Sequence, residues 1–351
     1  MDVSRLDFMK AAALGLAGAA VAGCTTAGAT CCPGSTAAPK EPPKKKVPFA
    51  FGMAGFTMCK RTLDETLAIL QKTDIHYLCV KDFHLPLKAT DAEMAAFKEK
   101  CAKAGVTPYA AGPLYTKTND AVRRFFEYAK RFGFKTVVGV PYKPGDEKDK
   151  WNKRLGSREQ LEYIDKLVKE FDIRYAIHNH GPASPDMYPD VAYGWNLVKD
   201  LDPRIGFCMD VGWEYACGKD PAASIRQYHA RLFDLHVKNF EKGKKNGAAT
   251  PLPRGKIDYV KIVKALIDVG YDGVCALEYE RDFTDNLAPV AESVGYFRGL
   301  VDALNAAHSL AVEYSNSAIE PEHILLALLT DKEGLIPEVL TSMNVNGEQL
   351  A

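Results

Sequence analysis

Net charge is the first thing this sequence lacks. Its 351 residues carry 45 Lys and Arg against 45 Asp and Glu, so no excess of either sign marks a polyanion as partner. Nucleic acid is therefore a poor expectation. No apolar run reaches the length of a membrane span. No GxxxxGKS or GxxxxGKT stretch occurs, so nothing here cradles a nucleotide phosphate for an ATPase. The cysteines show no CxxC spacing, which argues against a zinc knuckle and against a disulfide framework. Cys31 and Cys32 fall in a polar stretch near the N-terminus. Cys59, Cys79, Cys101, Cys208, Cys217 and Cys275 are scattered and read mostly as small core residues.

What is present begins with MDVSRLDFMKAAALGLAGAAVAGC. Arg5 and Lys10 precede a small-residue apolar run from Ala11 to Gly23, the pattern of an export signal. The ending VAGC resembles a bacterial lipobox, which implies that Cys24 is the lipidated first residue of a mature lipoprotein. SRLDFMK is similar to the twin-arginine consensus but has Leu6 in place of the second arginine, so the general secretory route serves as well. The expected location is a bacterial periplasm or cell surface, with contact to the membrane through the lipid anchor alone. Residues 25–46, rich in Ala, Thr, Pro and Gly and ending in EPPKKK, have no periodic apolar face and read as a disordered linker.

From Val47 onward short apolar runs alternate with amphipathic stretches. The runs FAFGMAG, HYLCVKD, TPYAAG, KTVVGVP, RYAIHNHG, RIGFCMDVG, RLFDLHVKNF and DGVCALEYE predict eight strands. Between them lie helical patterns such as LDETLAILQK, DAVRRFFEYAKRFG and IDYVKIVKALIDVG, several closed by glycine. Eight β/α units within residues 47–304 match a TIM barrel, an α/β fold with buried parallel strands and its site at their C-terminal ends. A doubly wound open sheet competes, but FGMAGFT is a weak phosphate turn with no acidic residue placed as that motif needs.

Reactive residue types cluster where the apolar runs end: Lys81, His178, His180, Asp210, His236, Lys238, Glu278 and Glu280. Singly, most are ambiguous. Asp210 in FCMDVGW also reads as a helix cap or turn residue, and His236 as a satisfied core histidine. Glu278 after VCAL is harder to dismiss, because burying a carboxylate demands a partner or a metal. Together, the ends of strands five to eight give imidazole, carboxylate, imidazole, carboxylate, a donor set for one divalent ion such as Zn, Mn or Co.

With KDFHLP, AIHNHGP, DPRIGFCMDVG, DLHVKNF, ALEYE and the closing PVAESVGYFRGLVDAL, residues 47–304 resemble the sugar phosphate isomerase/epimerase superfamily of xylose-isomerase-like TIM barrels. In ketose epimerases of that superfamily Glu, Asp, His and Glu hold the metal, and the two glutamates carry the proton. The resemblance places Asp210, His236 and Glu278 on the last three ligands and His178 on the first, where the relatives carry glutamate. Trp213 stands where many relatives have a substrate-touching histidine.

Epimerisation uses two bases across an enediolate, and one of the expected pair is missing. Glu278 remains, and His180 or Glu280 is the candidate second acid/base. Isomerisation or β-elimination needs less. Lys81 and His84 after strand two, Lys238 and Lys242 after strand seven, and Arg254 in PLPRGKID are candidate donors to a polyol or oxyanion. Trp213 offers a flat surface for a sugar ring.

After Leu304 the pattern changes. Residues 305–351, with IEPEHILLALL, resemble one Clp N-terminal-domain repeat, a short all-α appendage suited to a protein partner or self-association. His323 belongs to that helix and not to the metal site.

The expected function is a divalent-metal-dependent isomerase or epimerase acting on a small-molecule sugar or keto-sugar, free or oxidised rather than phosphorylated. One alternative is a lyase or hydratase on a 3-keto-glycoside or inosose-like substrate. Another is a non-catalytic carbohydrate-binding lipoprotein. An apurinic-site endonuclease, which shares the fold but uses more histidines and a basic surface, fits the neutral charge poorly.

Overall fold

The computed structural model describes residues 47–141, 158–182, 188–241, 248–331, 334–346 and 350. The signal, Cys24, the linker with Cys31 and Cys32, and Lys242 lie outside the described residues. All eight expected runs form strands of one closed parallel barrel. In chain order they are β1 (Ala50–Ala54), β2 (Tyr77–Val80), β3 (Thr107–Thr116), β4 (Thr136–Pro141), β5 (Arg174–His178), β6 (Ile205–Asp210) and β7 (Leu232–Val237). A small antiparallel pair, β8 (Asn239–Phe240) and β9 (Ala249–Thr250), comes next, and β10 (Val274–Leu277) closes the barrel between β7 and β1. The strands read as apolar runs because both faces are covered, outside by helices and inside by side chains.

The interior is filled with small residues, Cys79, Ala110, Val138, Ala176 and Cys208 among them. Across it, the Tyr109 hydroxyl on β3 donates to both carboxylate oxygens of Asp234 on β7, at 2.9 and 3.1 Å. Cys79, Cys101, Cys208 and Cys275 are buried and all six cysteines of the described residues are free, as small core residues should be.

The outer layer begins with α1 (Leu63–Lys72), α2 (Asp91–Lys103) and α3 (Asn119–Phe132). Thr62 and Glu65 form a capping box at the start of α1, and Thr90 and Glu93 repeat it on α2. On α3, Val122, Phe125, Phe126, Ala129 and Phe132 recur at helical spacing and are all buried. Next come α4 (Arg158–Phe171), α5 (Val191–Val198), α6 (Val211–Ala216), α7 (Pro221–Tyr228) and α8 (Tyr259–Asp268). The short α6 was not expected from the sequence, and it starts directly at the end of β6.

The last barrel helix, α9 (Leu287–Glu313), runs straight through the expected boundary at 304/305. Its first part lends Val290, Val294, Phe297, Val301 and Leu304 to the barrel core. Its last turns lend Ala307 and Leu310 to a separate small core with Ile319 and Ala327, built with α10 (Pro321–Thr330). A further helix, α11 (Leu335–Ser342), follows. His323 caps α10 from within and bonds Asn316 at 2.9 Å, so it stays with the appendage as expected. No helix among the described residues is long and apolar enough to cross a membrane.

Candidate active site

Four neighbouring staves, β5, β6, β7 and β10, bring His178, Asp210, His236 and Glu278 to one end of the barrel. Register makes the meeting close: Asp210 stands beside His236 across β6 and β7, and Ala276, two residues before Glu278, pairs with His236 across β7 and β10. His178 Nε2 lies 2.9 Å from His236 Nδ1. The same His178 nitrogen is 3.7 Å from Asp210 Oδ2 and 4.0 Å from Glu278 Oε2, and His236 Nδ1 is 3.1 Å from Glu278 Oε2. One donor atom from each of the four lies within 4.8 Å of the others.

Asp210 divides its carboxylate. It caps α6, with Oδ1 accepting from the Trp213 N–H at 2.9 Å, which leaves Oδ2 for the centre. The cap reading of this residue is observed, and the second oxygen stays available to a ligand role. Two buried side chains not singled out in the sequence fix these strand ends. Asn179 exchanges hydrogen bonds with the Asp210 backbone, accepting at 2.8 Å and donating at 3.3 Å. Glu214 accepts from the Val191 N–H at 3.0 Å and the Ser224 hydroxyl at 2.7 Å. Both sit where polar residues follow a strand, a weak signal that many turn residues share.

Lys238 is the surprise. Instead of standing at the rim as a substrate donor, it is 1% exposed. Its ammonium lies 2.9 Å from Asp210 Oδ2, 2.9 Å from Glu278 Oε2 and 2.7 Å from Glu280 Oε2. Burial alone would discharge an amine, but these three carboxylates more than offset it and keep Lys238 charged. Glu278 feels burial most, yet Lys238 and His236 hold it well below the ordinary carboxylate range. Asp210 is pushed up to about 7 by burial, with Lys238 pulling the other way. His178 is driven far down by burial and by its imidazole neighbours, so it is neutral. His236 goes up, because Glu278 outweighs burial.

His180 packs beside His178, Nδ1 to Nδ1 at 3.4 Å, and its Nε2 is 3.1 Å from the Tyr115 hydroxyl. Burial pushes its pKa down to about 4. Tyr115, missed in the sequence because β3 extends past the GP of TPYAAGP, is exposed at the mouth. A chain of polar contacts therefore leads from the rim to the centre: Tyr115, His180, His178, His236, Glu278.

The other expected contacts are distributed differently. Lys81 donates to the Pro113 carbonyl and lies 5.9 Å from the Phe56 ring centre. His84 turns toward α1, with Nε2 3.2 Å from both the Thr66 hydroxyl and the Arg61 carbonyl oxygen. Arg254 is 68% exposed at its side chain and bonds Glu292 on α9 at 2.7 Å. The Trp213 ring faces Phe240 at 5.2 Å and carries the Lys238 ammonium 5.3 Å from its centre.

Two imidazoles and two carboxylates converging in a buried pocket are a donor set that a borderline divalent ion fits. Within the described residues, Asp210 Oδ2 has no hydrogen-bond partner and is held by charge alone, which suits an oxygen shaped to face a cation. His236 Nε2, on the far side of the ring, also lacks one. Cys79, Asp234 and His236 form a second close group beneath the first.

Similarities to known proteins accord with the fold. Residues 299–351 match the Clp repeat N-terminal domain. Over 156 residues the chain is 26% identical to an inosose dehydratase of Lacticaseibacillus casei, covering 40% of this chain and 50% of that protein. The chain thus spans about half the length of the curated relatives it matches. Among solved structures, D-psicose 3-epimerase of Clostridium cellulolyticum H10, determined with D-tagatose, superposes with a TM-score of 0.56 at 16% identity, covering 72% of this chain and 99% of that one. An L-ribulose 3-epimerase gives 0.57 at 16% identity, covering 78% and 100%. These two show the fold. Residues 50–300, well over half of the chain, match the family model described as the xylose isomerase-like TIM barrel, and the chain, whose barrel is closed, belongs to that family.

Proposed function

We propose that the chain is a divalent-metal-dependent enzyme that removes a proton α to the carbonyl of a sugar or keto-sugar. The observation that carries this is the convergence of His178, Asp210, His236 and Glu278, with donor atoms within 4.8 Å of one another at the end of the barrel. These four residues would hold the ion, which when bound supplies Lewis-acid polarisation of the substrate carbonyl. Glu278, ionised and 4% exposed, is the candidate base; against the pull of burial, Lys238 and His236 hold it well below the ordinary carboxylate range, so it gains basicity as those partners move away from it. His180 is neutral and bonded to Tyr115, so it donates or accepts a hydrogen bond near the mouth and does not add charge. The contact of His180 with Tyr115 offers a route for the proton toward solvent.

Two outcomes share this first step. Return of the proton to the opposite face of the same carbon gives an epimer, and return at the neighbouring carbon of the enediolate gives an isomer; the family and its epimerase neighbours support these two. Loss of a β-hydroxyl gives dehydration, favoured by the similarity to inosose dehydratases and by His178 standing where a second carboxylate base is expected. The N-terminal sequence supports placing this activity outside the cytoplasm, on a lipid-anchored protein.

The test is to load the purified protein with Mn²⁺, Co²⁺ or Zn²⁺ in deuterated water, offer free keto-sugars and inososes, and follow the products. Deuterium at the α carbon is the expected result, with either a new isomer or a dehydrated product. Tight sugar binding without exchange under any metal would leave a binding protein in place of an enzyme.

A further inference from the structure

Lys238 stands on the two carboxylate members of the ligand set. Its Nζ lies 2.9 Å from Asp210 Oδ2 and 2.9 Å from Glu278 Oε2, the same two oxygens that stand among the four donors. A divalent ion on the same two oxygens would stand close to the ammonium, and their mutual repulsion is little screened where water is excluded, so each cation weakens the hold on the other. The lysine is also built into place. Gly212 leaves room for its stem, since a Cβ there would come within 2.5 Å of Lys238 Cγ. The Tyr259 hydroxyl donates to the Lys238 carbonyl at 2.8 Å, and Trp213 lies under the ammonium.

We infer that Lys238 is a tethered cation that fills the ligand pocket and must withdraw for a divalent ion to enter, with Glu280 as the place it withdraws to. This rests on the metal-dependent reading above. Glu280 is the third carboxylate on the ammonium, at 2.7 Å. It stands outside the four-donor group, and its side chain is 29% exposed, the most open of the three. The lysine stem has four rotatable carbons and its head is a compact point charge, so the ammonium can leave two oxygens and keep the third. An arginine fork in the same place would be harder to move.

The consequence is an exchange of cations within one pocket. In the lysine-filled state Asp210 and Glu278 are neutralised without metal, so the buried carboxylates do not repel one another and the barrel end stays closed. Metal affinity is then set by the donors and also by how often the ammonium is out. If the withdrawn state is populated one time in ten, affinity falls about ten-fold below that of the bare donor set. Glu280 tunes that population from outside the pocket.

Isothermal titration of chelator-treated protein with Mn²⁺, alongside thermal melts with and without the ion, reads this directly. Lys238→Met should bind Mn²⁺ at least about ten-fold more tightly than wild type. It should melt lower without metal and recover more on adding it. Glu280→Gln, a half-open position that threatens folding less, should weaken Mn²⁺ binding in the wild-type background and do so by a smaller factor when combined with Lys238→Met. Equal or weaker binding by Lys238→Met, while wild type binds, overturns the inference and leaves the metal reading standing. If Lys238→Met does not fold, an equal effect of Glu280→Gln with and without Lys238→Gln overturns it in the same way. Absence of Mn²⁺, Co²⁺ and Zn²⁺ binding in every variant overturns both.

Discussion

His178 Nε2 and His236 Nδ1 face each other at 2.9 Å across the intervening strand β6, both almost wholly buried. One of the two nitrogens must carry the proton between them, and His178, driven down by burial, is the acceptor. A neutral imidazole here makes the pocket softer than a carboxylate would. Replacing it with His178→Glu should shift metal preference from Zn²⁺ toward Mn²⁺, because oxygen donors suit the harder ion. His178→Ala should weaken binding of either ion by at least about ten-fold. Competitive metal loading followed by elemental analysis checks both, and an unchanged Zn²⁺ to Mn²⁺ ratio in His178→Glu would remove His178 from the ligand set.

Glu214 holds the mouth together without touching the four donors. Its carboxylate, raised by burial, accepts from the Val191 N–H at the start of α5 and from Ser224 on α7, and lies near Asn179 Nδ2 at 3.5 Å. Glu214→Ala strands these donors in a closed interior and should cost about 2–4 kcal/mol. Glu214→Gln keeps one acceptor and should cost less. Urea denaturation measures the difference, and metal affinity should fall in parallel if Asn179 no longer steadies the Asp210 backbone.

How far the sequence foretold this site depends on whether a residue's partner is near in the chain. The eight strands were legible because burial on both faces leaves uninterrupted apolar runs, and Asp210, His236 and Glu278 stood out because each ends such a run. The fate of Lys238 was not legible. Its three carboxylates come from β6 and from the segment after β10, and nothing in DLHVKNF says that its ammonium turns inward. His84 is held by Thr66 and the Arg61 carbonyl, which precede it by about one helix, and KDFHLP shows neither partner. Arg254 found Glu292 on α9, a contact set by tertiary packing. The expected boundary at 304/305 falls inside α9, which keeps one helical period while the core it serves changes from barrel to appendage.

Away from the site, Asp202 links the turn before β6 to acid stability. The Arg204 guanidinium and backbone bond its carboxylate, pulling it down to about 2. A depressed carboxylate stabilises the fold above its unfolded value, about 3.9, and that contribution drains as pH falls through the folded value. Asp202→Asn should therefore be less stable than wild type at pH 6, with the gap closing between about pH 4 and pH 2. Melting curves across that range decide it; a gap constant down to pH 2 would mean that the loss is steric and not ionic.

The continuous α9 sets where the appendage can be removed. Val301 and Leu304 belong to the barrel core, although the Clp-like match begins at residue 299. A chain ending at residue 298 would strip both from the barrel, together with the small core of Ala307, Leu310, Ile319 and Ala327. One ending at Tyr314 keeps the whole helix and loses α10 and α11, with the cover over Ala307 and Leu310, the packing of Ile324 on the barrel core and the Lys264 bond to the Ile319 carbonyl. Burying a leucine and a valine side chain contributes about 1.5–3 kcal/mol each, so the shorter chain should melt far below the longer one. Mn²⁺ affinity of the chain ending at Tyr314 should match that of the full protein, since the donors of β5, β6, β7 and β10 do not depend on α10 or α11. Thermal melts and metal titration of the two truncations separate the outcomes, and a chain ending at Tyr314 that failed to bind metal would make the appendage part of the site and not an addition to it.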